Sequence, residues 1–185
     1  MVVTCAGIDL ASREDKPSGV SVVKVTEGLD LDLVLVSKAL RDNDIVKFVL
    51  GYGVKAVAID APLSLPMTGY YRQLDLELKR RGFNVLPPSW RYMRELTLRA
   101  IKLAEAFTSL GVAVLETHPS SCLKSSGCYS FEALTSTLRI RVPSRISKDE
   151  EDSIIAAIVC AFHVQGKSVV VHSKDGSIVL LPRVC

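Results

Sequence analysis

Two short apolar runs in this chain each end in an aspartate: Cys5-Ala6-Gly7-Ile8-Asp9 and Val57-Ala58-Ile59-Asp60. An unbroken apolar run of this length is the pattern of a strand buried on both faces, as inside a parallel sheet. If two such strands run side by side in the same direction, their terminal carboxylates arrive together at one rim. A second acidic pair, Asp149 and Asp152, stands at the start of an apolar helical stretch near the C-terminus. Being three apart, the two acids project from one face of the first helical turn, where the helix dipole favours negative charge. Carboxylates gathered from separate elements repel one another unless cations join them, so this spacing predicts a divalent-metal site serving phosphate chemistry.

The rest of the pattern says how these elements could meet. Residues 2–9 read as the first strand, and residues 20–25 and 31–36 as a hairpin around Thr26-Glu27-Gly28, so an antiparallel meander opens the fold. Asn43-Asp44 caps a helix to Leu50 that Gly51 and Gly53 stop, and residues 54–60 form the second buried strand, completing a β-α-β crossover. Two prolines in Ala61-Pro62-Leu63-Ser64-Leu65-Pro66 force a rigid loop after Asp60. Helices follow over 71–81 and 91–110, split by Gly82 and Leu86-Pro87-Pro88-Ser89, and residues 112–116 make another strand. The stretch 117–147 is turn-rich, with a helix over 131–138. Ser147 caps a helix over 148–164, and residues 168–171 and 178–181 form a closing hairpin around Asp175-Gly176. The prediction is an α/β fold: three antiparallel strands, then parallel strands, in one mixed sheet with helices on both faces and a C-terminal hairpin. With 185 residues, 48% of them hydrophobic, the expectation is a single domain over 1–185 with a helical excursion at about 67–111.

Composition narrows the setting. The N-terminal residues meet Asp9 too soon for a secretory apolar segment, and the longest uncharged stretch, 153–166, is short of the roughly 20 residues that span a bilayer. The expectation is a soluble cytoplasmic protein with no membrane partner. Five cysteines form no C-x-x-C pair, which argues for reduced, buried thiols and against a zinc motif. Only two Asn and two Gln occur, a scarcity that hints at a thermophilic source, and in such a source a Cys122–Cys128 disulfide becomes admissible. Net charge is +3, but Arg72, Lys79, Arg80, Arg81, Arg91, Arg94, Arg99 and Lys102 face only Asp75, Glu77 and Glu95 between 72 and 102. That local excess of positive charge, set against an acidic site, fits a polyanionic substrate; the plainer reading is a pair of solvated helix faces.

The chemistry implied is hydrolysis of a phosphodiester in DNA or RNA. Asp9, Asp60, Asp149 and Asp152 form the expected cage for two ions, Mg2+ or Mn2+, roughly 4 Å apart. Glu116, ending Val112-Ala113-Val114-Leu115, arrives at the same rim as a further strand acid, and His118 beside it could move a proton or touch phosphate. Candidate substrate contacts are Arg80, Arg81, Arg91 and Arg94, the hydroxyls of Ser12 and Ser64 in the loops after the strand acids, and Arg72, which could instead pair with Asp75. Trp90 and Tyr92, flanked by Arg91 and Arg94, could stack on bases, though the sequence favours them as half-buried helix anchors. His163 and His172 sit among apolar residues and read as core or surface groups.

The order of a Gly-Ile-Asp strand, a hairpin, a fourth-strand Asp and a D-x-x-D helix start resembles the ribonuclease H superfamily, and the Asp149–Asp152 pair resembles the final helix of Holliday-junction resolvases. More narrowly, five features are similar to domain-of-unknown-function family 429, described as predicted nucleases of ribonuclease H fold. They are Gly7-Ile8-Asp9-Leu10-Ala11, the stretch from Ala58 to Pro66, Arg72 with Asp75, Glu116-Thr117-His118-Pro119, and the Asp149 helix. One departure is Ser153, where the family usually has alanine after its last helix aspartate. Ribonuclease H proper also draws a glutamate from its first helix, where this chain offers only Asp44, which makes Glu116 the expected fourth acid. Two other readings stand beside a nuclease. One is a nucleic-acid-binding or scaffold protein that keeps the fold without turnover. The other is an actin-like ATPase or sugar kinase, which the lack of glycine in Asp9-Leu10-Ala11-Ser12 disfavours.

Overall fold

A computed structural model describes residues 2–185 of the chain. It opens with β1 (Val2–Asp9), β2 (Ser18–Thr26) and β3 (Leu31–Ala39), paired antiparallel in succession. Helix α1 (Asp42–Gly51) crosses to β4 (Ala56–Asp60), which lies parallel to β1; α2 (Gln73–Arg80) and α3 (Arg91–Ser109) then lead to β5 (Ala113–Thr117), parallel to β4. The sheet order is β3-β2-β1-β4-β5. Helices α4 (Pro119–Ser126), α5 (Phe131–Thr137) and α6 (Lys148–Val164) follow, and β6 (Val169–Ser173) with β7 (Gly176–Leu180) forms a separate hairpin. The expected mixed sheet is therefore present. The helix that sequence patterning missed is α4, whose serine-rich Pro119-Ser120-Ser121-Cys122-Leu123-Lys124-Ser125-Ser126 looks like a turn. Its ends carry the usual marks all the same, with Pro119 in the first turn and Gly127 left-handed just past the last.

Side chains alternate across the sheet, and the two faces are packed with different material. Ala6 and Ile8 of β1 and Val57 and Ile59 of β4 meet Ile45 and Val49 of α1 and Leu96, Leu103 and Phe107 of α3. On the opposite face Cys5, Ala56 and Ala58 meet Ala156, Ala157, Cys160 and Ala161 of α6. Asp9 shares the parity of Cys5 and Gly7, and Asp60 that of Ala56 and Ala58, so both strand-end acids fall on the α6 side.

Two glycines let α6 come down onto that side. A methyl group at Gly7 would lie 2.1 Å from Ala157 N and 2.1 Å from Ser153 O, and one at Gly19 would lie 2.1 Å from Asp149 O. No side chain fits in such gaps, so helix backbone rests directly on strand backbone at its acidic end. Ser153 completes the seam: its Oγ is 2.6 Å from Ser21 Oγ on β2, and both residues are fully buried. Ser153 thus has a hydrogen-bond partner on the sheet. The start of α6 is fixed as expected by Ser147, whose N–H and hydroxyl both donate to Glu150 Oε2 at 2.8 Å.

The expectation of reduced, buried thiols holds for Cys5, Cys122 and Cys160 and is corrected at Cys128, whose bond is not the admissible one to Cys122. Cys128 bonds Cys185, with Cα atoms 5.1 Å apart, while Cys122 is a free, fully buried thiol 3.2 Å from Thr117 Oγ1. The cause is the C-terminal tail, where the N–H groups of Val184 and Cys185 donate to Ser126 O at 2.9 and 3.0 Å and bring the last residue beside Cys128. Among the described residues, no helix is long and apolar enough to cross a membrane.

Candidate active site

Asp9 and Asp60 are direct partners in the parallel β1–β4 ladder, the last residues of their strands. Burial, then the charges of Asp152 and Asp149, push the Asp9 carboxyl up to about 7, with Lys148 pulling the other way. The Asp60 carboxyl is pushed well up by burial first, then by Asp9, Asp152 and Glu116, again opposed by Lys148. These groups therefore share one electrostatic field.

The two helix acids are not equivalent. Asp152 acts on Asp9, Asp60 and His118, and its side chain is 19% exposed. Asp149 acts on Asp9, is 46% exposed, and lies 3.6 Å from Lys38 Nζ of β3. Lys148 contributes the local positive charge, with Nζ 2.9 Å from Asp152 Oδ1 and 3.5 Å from Glu151 Oε2. The sequence reading passed over Lys148, although its spacing of four from Asp152 in a first helical turn is a readable signal. Burial lowers the His118 pKa, with Asp152 opposing, which favours the neutral imidazole. His118 Nδ1 is 2.7 Å from Ser121 Oγ of α4.

A cleft of about 220 Å³ opens beyond the strand ends, its lining including Asp9, Asp60, Glu116, His118 and Tyr92. Glu116 reaches this rim but is already engaged. Its Oε2 accepts from Leu63 N and Arg72 Nη1 at 2.8 Å each, and its Oε1 from Arg72 Nη2 at 2.7 Å. Register explains the difference: Glu116 pairs with Ile59 and Thr117 with Asp60, which turns the Glu116 side chain toward the face opposite α6. Arg72 is 2% exposed and also binds Asp75 Oδ1 at 2.7 Å and Ser64 Oγ at 3.2 Å. Ser64 in turn donates to Asp175 O at 2.8 Å, and the Asp175 carboxylate accepts from Gln73 N and Leu74 N at the start of α2. Of the two roles the sequence allowed Arg72, the geometry has the internal one, because its guanidinium neutralises two buried carboxylates. Ser64 is likewise tied into this network.

The remaining candidates lie outside the cleft. Ser12 is buried in a separate depression with Asp42 and Arg99, and Arg99 is itself buried, bonding Asp42 at 2.8 Å and the carbonyls of Ala11 and Leu40 at 2.7 and 3.0 Å. Arg80, Arg81, Arg91 and Arg94 are exposed; Arg80 and Arg81 pair with Glu77, and Arg91 with Glu95. Trp90 and Tyr92, at the start of α3, are 53% and 56% exposed, and Tyr92 alone of this group lines the cleft.

Among the described residues, no three carboxylate, imidazole or thiol groups converge on one ion position. The donor chemistry nonetheless suits a hard divalent cation. Asp9, Asp60 and Asp152 offer carboxylate oxygens alone, and burial first, then the crowding of like charges, raises the Asp9 and Asp60 carboxyls.

The strand order and the position of α6 define a ribonuclease H-like fold. Solved structures that share it include T. thermophilus RuvC in complex with Holliday junction substrate, with a TM-score of 0.55 and 16% identity over 89% of this chain and 97% of that one. Another is the yeast mitochondrial Holliday junction resolvase Ydc2, with a TM-score of 0.51 and 13% identity over 88% of this chain and 78% of that one. At these identities the likeness is one of fold. No protein-family model matches the sequence, and no curated protein matches it.

Proposed function

We propose that this protein is a divalent-metal-dependent nuclease that hydrolyses phosphodiester bonds of DNA or RNA, and that its motif order groups it with domain-of-unknown-function family 429. The observation that carries the reading is the pairing of Asp9 with Asp60 at the ends of two parallel strands, under a helix seated on Gly7 and Gly19 with its acidic turn at Gly19. Asp9, Asp60 and Asp152 would hold Mg2+ or Mn2+, with Asp149 as an outer carboxylate. When bound, the metal supplies charge neutralisation for the phosphate and acidifies water. His118, neutral and held at Nδ1 by Ser121, accepts a proton from the attacking water. Glu116 acts as an anchor that ties Leu63 and Arg72 beside Asp60. Arg80, Arg81, Arg91 and Arg94 attract the polyanion. The similar structures support this reading, since RuvC is held with a Holliday junction and Ydc2 is named a resolvase.

A second reading, a nucleic-acid-binding protein without turnover, is favoured by one observation: Lys148 already supplies Asp152 with a cation. A cleavage assay separates the two. Wild-type protein with Mn2+ is expected to cut labelled DNA or RNA, and Asp60→Asn is expected to lower the rate at least about 100-fold, the scale of losing a transition-state contact worth about 3 kcal/mol. The metal-free variant should melt at or above the wild-type temperature, because it removes an ionisable group from a buried, crowded site. Absence of cleavage by wild type on every substrate form would leave the binding protein standing.

A further inference from the structure

The cleft has two unlike halves. Its floor is the acidic strand edge, and its outer wall is apolar, built from Leu78, Val85, Leu86, Tyr92, Met93 and Leu96 of α2, α3 and the segment between them. Two of these lining residues stand in water, Tyr92 and Leu86, each 56% exposed; Trp90 (53% exposed) caps the helix start that carries Tyr92, and Tyr70 (68%) is exposed in the loop before α2. Ser89 Oγ donates to Tyr70 O at 3.0 Å, which fastens the loop carrying Tyr70 beside the turn carrying Trp90. Single exposed aromatics are ordinary on a protein surface, but an exposed tyrosine and leucine in the wall of a cleft that also holds the strand acids mark a contact surface. Here aromatic side chains alternate with cations along Trp90-Arg91-Tyr92-Met93-Arg94, and Arg91 is 95% exposed.

Aromatic faces interleaved with arginines match one ligand chemistry, a base with a free face joined to a phosphate. The interior of a duplex cannot offer this, because each base there is already covered by its neighbours. The cleft is also smaller than the roughly 300 Å³ at which pockets begin to hold drug-sized ligands, which suits one base rather than a whole cofactor. We propose that the cleft is a stacking site for one unpaired nucleotide, held by Tyr92 on the helix start that Trp90 caps, so that the substrate carries an unpaired base next to the bond that is cut. This deepens the nuclease reading and rests on it.

Trp90 is the sole tryptophan of the chain, so its emission reports on this site alone. The wild-type protein, in calcium-containing buffer to neutralise the acidic floor, is titrated with oligothymidylate of about 12 nucleotides, within the usual site size for single strands. A blunt duplex of the same length is the comparison. Trp90 quenching by the single strand, with affinity at least about tenfold above that for the duplex, is the expected result. Tyr92→Ala should weaken single-strand binding about tenfold, Tyr92→Phe should restore it, and duplex binding should change in neither. Equal affinity for both ligands, or a Tyr92→Ala variant that binds like wild type, would overturn the stacking site while leaving the nuclease reading intact. Failure to bind either ligand would overturn both.

Discussion

The two faces of the central sheet are built on opposite plans. Toward α1 and α3 the strands present Ile8, Val22, Val57 and Ile59 to Ile45, Leu103 and Phe107, a core of large branched and aromatic side chains. Toward α6 they present Cys5, Gly7, Gly19, Ala56 and Ala58, and the helix answers with Ala156, Ala157, Cys160 and Ala161. Bulky side chains keep a helix at a distance and tolerate small changes in shape, whereas backbone seated on backbone fixes position at the cost of tolerance. The rigid plan is used on the face that bears Asp9 and Asp60. Close packing there serves the placement of the Asp152 turn, while Ile154, Ile155, Ile158, Val159 and Phe162 of the same helix bury large apolar side chains beside the seam.

The comparison can be broken at Gly7. A methyl there meets Ala157 N and Ser153 O, neither of which can rotate away, so Gly7→Ala should destabilise by more than the about 3 kcal/mol at the upper end of ordinary overpacking. Its neighbour on the other face, Ile8→Val, should cost only about 1 kcal/mol by urea unfolding. Similar losses at the two positions would show that the faces are equally tolerant.

A smaller effect is expected from Asp9, through pH. The folded carboxyl titrates near 7, against 3.8 as the ordinary value, so the folded state holds its proton the more tightly. Raising pH draws the proton from the unfolded chain first. Asp9 therefore adds stability that is complete below about 4 and lost by about 7, and the metal-free protein should weaken across that window. Asp9→Asn should remove this slope and be the more stable protein above pH 7, by about 2 kcal/mol after allowing for partial exposure of the site. Melting curves that fall in parallel for the two proteins would contradict the raised carboxyl.

The smallest expected change is at the seam. Ser21→Ala leaves the buried Ser153 hydroxyl with Glu150 O alone and should cost about 1 kcal/mol. The double change to alanine at 21 and 153 should cost less than the two single changes added together. Strict additivity would mean that the two hydroxyls do not depend on each other.

Much of this was legible in the chain. The strands ending at Asp9 and Asp60 were plain as apolar runs, and Ser147 announced α6 because a capping serine before an apolar helix has few other meanings. What stayed hidden depends on distant partners. Nothing near Glu116 tells that Arg72, 44 positions earlier, will claim it, because the outcome turns on the β4–β5 register and on which way the loop after Asp60 folds. Gly7 and Gly19 read like any other strand glycine until a helix more than a hundred residues away is laid against them. The Cys128–Cys185 bond likewise follows from tail contacts with Ser126, which cysteine spacing does not encode.

The most direct test of the account is a calorimetric titration of Mn2+ into metal-free protein near neutral pH, run on wild type, Asp60→Asn and Asp149→Asn. Saturable binding by wild type that Asp60→Asn abolishes and Asp149→Asn only weakens is the predicted result. No saturable heat with wild type, or equal binding by all three proteins, would contradict a metal site built on the two strand-end aspartates.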